Sequence, residues 1–251
     1  MLEEMRARAR ALLESGAVAR VLAWEAGEFA HYPTPAFITD PSRLDRMVYD
    51  RFCTANLSKY MVDAGEKPGK TMVFLRPCDA HSLAQLEKEN QVQRENAYII
   101  GVGCEGCVRV EEGEERGLLE SCRACTKADY PVHDELIGAG NNPRTTANPD
   151  ERFADVIRLD EESPDQRYGF WQNHLSRCIR CNACRNICPT CYCKACVLDS
   201  DNPHEKTHFH IIRAYHQAGR CTDCGQCSRV CPQGIPLQLL NRKLIQDAPP
   251  L

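Results

Sequence analysis

Two cysteine runs, CIRCNACRNICP at Cys178–Pro189 and CTDCGQCSRVCP at Cys221–Pro232, constrain this 251-residue chain more than any other feature. Each places Cys at spacings of three, three and four and closes on Cys-Pro. Three thiolates so close in sequence can wrap three corners of a cubane, and the last corner must come from elsewhere. That is the ligand order of a two-cluster 4Fe–4S module, in which the fourth Cys of each run serves the other cluster. Proline after the fourth Cys fixes φ and removes an N–H donor, so the chain turns away from the cluster. The expected ligands are Cys178, Cys181, Cys184 and Cys231 for cluster 1, and Cys221, Cys224, Cys227 and Cys188 for cluster 2. Zinc sites pair two CxxC hooks around one tetrahedral ion and have no use for a third Cys three residues on. A secreted disulfide scaffold would be short and would carry a signal peptide.

Eleven of the 17 Cys fall within residues 178–231, which marks the cysteine-rich part as a separate unit. The expected domains are residues 1–150 and 165–247. The N-terminal MLEEMRARARALLESG has no apolar h-region and does not read as a secretory signal. No stretch approaches the roughly 18 apolar residues that span a bilayer. A formal net charge of −4 gives no support for nucleic-acid binding. Abundant thiols that need iron point to a reducing cytoplasm, that of an anaerobe.

The first half reads as α/β (or α+β) with a parallel sheet. Thr71–Leu75 (TMVFL) and Ala97–Val102 (AYIIGV) are apolar runs suited to buried strands. Asp79 is expected to cap a helix running to Asn90, which completes a βαβ unit. Val18–Trp24 and Ala36–Thr39 offer further strands. Leu2, Met5, Ala9, Leu12 and Leu13 fall at helical spacing ahead of Gly16. The clearest loop is residues 138–150. The second half is expected to be an all-helical, ferredoxin-like dicluster domain, with residues 204–218 helical and Phe209, Ile212 and Tyr215 inward.

Six further Cys lie in the first half. Cys104 with Cys107, and Cys122 with Cys125, make two CxxC hooks, good spacing for zinc or an iron–sulfur centre. Cys78, in RPCDA, follows the end of the first βαβ strand, where open parallel sheets place functional groups. A third 4Fe–4S cluster is expected here in preference to zinc. Local spacing favours the two hooks, and Cys78 is the substitute for Cys107. Cys53, Cys191, Cys193 and Cys196 stay unassigned. Gly101–Gly106 reads GVGCEG, formally GxGxxG, yet CVRVEEGEERG after it offers little helical periodicity, so a dinucleotide site is not expected. His208, His210 and His216 are expected to face solvent or cap. Arg177, Arg180, Arg185, Arg220 and Arg229 surround the cysteine runs as solvated charge, as charge that raises a cluster's potential, or as a docking face for an acidic partner.

The segments RPCDAHSLAQLEKENQVQRENAYIIGVGCEGC, SCRACTKADYPVHDELIG, CIRCNACRNICPTCYC and AGRCTDCGQCSRVCPQGIPL together resemble the hydrogenase/dehydrogenase beta-subunit family with a C-terminal 4Fe–4S dicluster domain. The family is named after the deazaflavin-reducing hydrogenases. The RPCD and CPTCYC elements are also similar to those of sulfhydrogenase beta and anaerobic sulfite reductase A subunits. The resemblance runs from about Ala36 to about Asp247. It implies a cytoplasmic electron-transfer subunit, not a catalyst by itself, working beside formate dehydrogenase, hydrogenase, flavoprotein or heterodisulfide-reductase-like subunits. The eight dicluster cysteines match the family's ligands, and Cys78 and Cys104 match its RPCD and GVxC elements. Hydrogenase beta subunits bind flavin and deazaflavin, but no phosphate-cradling loop beyond GVGCEG supports flavin in this chain. The alternative function is a flavin-containing catalytic subunit that oxidises or reduces NAD(P)H or deazaflavin.

Overall fold

In the computed structural model, which describes residues 1–138, 149–199 and 206–248, the chain divides into two units, Met1–Ala147 and Asn148–Leu251. Residues 139–148 of the expected loop, and residues 204 and 205 of the expected helix, lie outside the described residues.

Unit 1 opens with α1 (Leu2–Glu14), whose Met5, Ala9 and Leu12 are buried at helical spacing. There follow β1 (Arg20–Glu25), β2 (Thr34–Ile38), α2 (Ser58–Ala64), β3 (Thr71–Leu75), α3 (Pro77–Lys88) and β4 (Ala97–Val102). A hairpin of β5 (Val108–Glu111) and β6 (Glu114–Leu118), the short α4 (Glu120–Arg123) and β7 (Glu135–Ile137) complete it. The main sheet runs β2-β1-β3-β4-β7. β1, β3, β4 and β7 are parallel, while β2 pairs antiparallel with β1. The sheet is therefore mixed, and the expectation of a parallel sheet holds for four of its five strands. β2 carries Pro35, which cannot donate to a ladder on both sides, so the strand takes an edge. β1 and β3 are buried along their whole length, as strands covered on both faces must be.

One local expectation changes. α3 starts at Pro77, two residues before Asp79; Arg76 is its N-cap and Asp79 its third residue, whose carboxylate accepts from the Arg76 backbone N–H at 3.3 Å. Proline at the first helical position suits that start, because its missing N–H had no intrahelical partner anyway. After GVGCEG the chain enters the β5–β6 hairpin rather than a helix, so this glycine-rich turn does not present a long helix's N-terminus to a pyrophosphate.

The described residues of unit 2 form helices and turns, with no strand among them. They are α5 (Ala154–Asp160), α6 (Pro164–Ser176), α7 (Ala183–Asn186), α8 (Lys206–Gln217), α9 (Gln226–Arg229) and α10 (Leu237–Asp247). α6 begins on a capping box, Ser163 with Gln166, and has Pro164 at its first position. The core gathers Leu175, Leu198, Phe209, Ile235 and Leu237 around Cys178, Cys184 and Cys227.

Candidate metal centres

The two cysteine runs fold alike, residue for residue. Left-handed backbone occurs at Arg180 (φ 57°) and Asn182 (φ 60°), and again at Asp223 (φ 54°) and Gly225 (φ 72°). These are the second and fourth residues after Cys178 and after Cys221. Each kink pair leads into one short helix, α7 or α9, which carries the third Cys of its run. The kinks also turn backbone N–H groups toward sulfur. Arg180 N–H donates to Cys178 Sγ at 3.4 Å, and Asp223 N–H acts in the same way on Cys221.

Two cavities result. One is lined by Cys178, Cys181, Cys184 and Cys231. The other is lined by Cys188, Cys221, Cys224 and Cys227. Each draws three thiols from one run and the fourth from the other. Four convergent soft donors per cavity, with N–H groups aimed at sulfur, fit a cubane iron–sulfur centre.

Thiols of the second cavity feel their surroundings strongly. Cys188 is held well below the usual thiol range by the Cys191 side chain, helped by Arg213 and Thr190. Burial pushes Cys221 well up, and burial pushes Cys227 up to about 11 against the pull of Arg213. Asn241 Nδ2 donates to Cys227 Sγ at 3.4 Å. Gln217 accepts from Thr190 Oγ1 at 2.5 Å and donates through Nε2 to Cys191 Sγ at 3.2 Å. Cys193 is exposed and Cys196 packs against the core.

α8 corrects the sequence reading in two places. Tyr215, expected inward, is 77% exposed. His210, expected toward solvent, is 2% exposed, and among the described residues neither ring nitrogen has a hydrogen-bond partner. The buried stripe of this helix runs through Phe209, Arg213 and Gln217 at four-residue spacing, which turns position 215 to the far side. Sequence reasoning missed Arg213 and Gln217 because polar residues on an otherwise mixed helix read as surface. Their four-residue spacing from Phe209 was the available signal.

In unit 1 five thiols converge where β3 and β4 end. Cys78 feels Cys104 and Cys125, and Cys104 feels Cys122. The Cys107 backbone N–H donates to Cys122 Sγ at 3.4 Å. Burial pushes the Cys78 thiol well above its usual range. The floor is Arg76, 3% exposed, which sequence reasoning also passed over. Its guanidinium donates to Asp79, to the carbonyls of Cys53 and Ala55, and to Cys107 Sγ at 2.8 Å. Cys53 itself turns toward the Val48 carbonyl and Asp50, and burial pushes its thiol up to about 12. Among the described residues no three His, Cys, Asp or Glu side chains are close enough to hold a single ion; a cubane spreads its thiolates over four corners.

Residues 174–235 match the family model described as a 4Fe-4S dicluster domain. The C-terminal cysteine runs are those of an iron–sulfur domain. Along most of its length the chain is also similar to curated proteins. It is 24% identical to the F420-dependent formate dehydrogenase subunit beta of Methanocaldococcus jannaschii, over 93% of this chain and 86% of that protein. It is 21% identical to the F420-dependent formate dehydrogenase 1 subunit beta of Methanococcus maripaludis, over 82% and 78%. The beta-subunit resemblance read from the motifs is thus met by relatives of that kind, and a dicluster domain is present toward the C-terminus. No helix among the described residues is long and apolar enough to cross a membrane.

Proposed function

We propose that this chain is an iron–sulfur electron-transfer subunit of an oxidoreductase complex of the formate dehydrogenase kind, passing electrons between redox subunits without bond chemistry of its own. The observation that carries the reading is the pair of cavities, each lined by four cysteines drawn crosswise from the two runs. Similarity to formate dehydrogenase beta subunits supplies the setting. On this reading unit 2 is an all-helical, ferredoxin-like dicluster domain in a cytoplasmic protein. Cys178, Cys181, Cys184 and Cys231 hold one 4Fe–4S cluster, and Cys221, Cys224, Cys227 and Cys188 hold the other. When bound, the clusters supply one-electron storage and release. The fold buries Cys178, Cys184 and Cys227 and aims backbone N–H groups at sulfur.

A third 4Fe–4S cluster belongs to the proposal, held at the ends of β3 and β4 by four of Cys78, Cys104, Cys107, Cys122 and Cys125. What supports it is the convergence of these thiols over a buried guanidinium.

The test is iron and sulfide quantitation with electron paramagnetic resonance on the anaerobically purified chain, before and after its complex is exposed to formate. Two or three reducible clusters and no flavin are expected, with formate reducing them only in the complex. Zinc without a reducible chromophore would overturn the reading. Flavin released by acid, with hydride-dependent activity in the chain alone, would replace it with the catalytic-subunit alternative. Cys78→Ala and Cys107→Ala compared for iron content separate the two ligand sets in unit 1.

A further inference from the structure

The buried face of α8 runs from one candidate centre to the other. Phe209 lines the cavity of Cys178, Cys181, Cys184 and Cys231. Two turns on, Gln217 accepts from Cys188 Sγ at 3.5 Å, beside the second cavity. Arg213 lies one turn from each, 3% exposed. Its Nη2 donates to the Cys184 carbonyl at 3.3 Å, while its Nε has no partner among the described residues. Arg76 and Arg242, similarly buried, each face a carboxylate, Asp79 and Asp223. Among the described residues Arg213 has none. A guanidinium cannot shed its proton to escape burial, so an unpaired one is strongly unfavourable unless another anion faces it. The anions at hand are thiolates. Burial works against the charge, and Cys227, Cys188, Cys184 and Cys191 act in its favour. Cys227 and Cys188 line the second cavity, and Cys184 lines the first.

We propose that Arg213 is the shared counter-cation of both centres and raises the reduction potential of both at once. This rests on the two-cluster reading above. Reduction adds one negative charge to a centre, and a fixed positive charge nearby favours that state over the oxidised one. A cation placed between two centres therefore acts on both, unlike a hydrogen bond to a single sulfur. Its charge does not titrate in the accessible range, so the effect is independent of pH. Arg213 acts through its field on the ligand sets and is a positioning residue for their potentials.

The test uses the full chain, purified anaerobically, with Arg213→Gln and Arg213→Lys. Iron and sulfide counts come first, then redox titrations followed by electron paramagnetic resonance. In Arg213→Gln both centres are expected to become harder to reduce by about tenfold in equilibrium constant, ~59 mV for a one-electron couple. Arg213→Lys, which keeps the charge, is expected to stay near the wild type. Unchanged potentials in Arg213→Gln, or a shift in one centre alone, would overturn the proposal. If Arg213→Gln fails to load iron, Arg213→Lys decides. Two clusters restored by Lys would show that the charge is what the site requires, whereas equal failure would make the guanidinium a structural part and sink the idea. A wild-type chain with fewer than two clusters would refute the two-cluster reading instead, independently of any variant.

Discussion

Replacing Asp79 with Ala probes the floor under the unit 1 thiols. Asp79 is fully buried and Arg76 is 3% exposed. Their guanidinium–carboxylate fork runs at 2.9 Å and 3.2 Å, and the same carboxylate accepts from the Arg76 backbone N–H at 3.3 Å. The pair sits beneath the Trp24 ring, 5.1 Å from the guanidinium carbon. Asp79→Ala leaves that guanidinium buried with two carbonyls and one sulfur as its remaining acceptors. Removing one member of a buried pair costs about 3–5 kcal/mol, chiefly through the charge left behind. Amide hydrogen exchange, read by mass spectrometry over the β3 and β4 peptides, measures this locally. The slowest amides should exchange faster by roughly two to four powers of ten. Arg76→Met with Asp79→Leu should recover most of that loss, because no buried charge is then unpaired. Acceleration of less than about tenfold in Asp79→Ala, roughly 1.4 kcal/mol, would refute the reasoning and show that solvent reaches the pair.

Crossed ligation makes paired substitutions non-additive. Cys178→Ala with Cys231→Ala should lose no more iron than either alone, whereas Cys178→Ala with Cys188→Ala should lose both dicluster centres; additive losses in the first pair would contradict the crossed sets. Gly101→Ala in β4 would bring its Cβ to 2.6 Å from both Leu136 Cδ2 and Tyr130 Cδ1, so a loss of about 1–3 kcal/mol in denaturant titration is expected. Glu135 is held below the usual carboxylate range by its hydrogen bond from Arg8, with Tyr98 adding to it. A lowered carboxylate contributes stability above its unfolded pKa and loses it as pH falls through the folded value. Glu135→Gln should therefore cost unit 1 stability at neutral pH and nothing once Glu135 is protonated. Urea titrations from about pH 6 down to about pH 3 check this, and a pH-independent difference would count against it. The effect should be small, because both partners are about a third exposed, with 38% and 32% side-chain exposure.

Cysteine spacing alone pointed to a dicluster domain and to the crosswise lining that the two cavities have, because seven-residue reach and the Cys-Pro exit are properties of local chain geometry. Apolar runs likewise marked β3 and β4 at the bounds observed, since a strand buried on both faces has little freedom of composition. The residues after GVGCEG lack helical period, and they form a hairpin. Tertiary structure decided the rest. It put β2 antiparallel at an edge, started α3 at Pro77 and turned Tyr215 outward. Above all, it buried Arg76 and Arg213. Nothing local distinguishes Arg76 from a solvated arginine, and only its four-residue spacing from Phe209 marks Arg213. Their burial depends on which anions the fold brings to them: Asp79 and the Cys107 sulfur in one unit, the thiolates of both cysteine runs in the other.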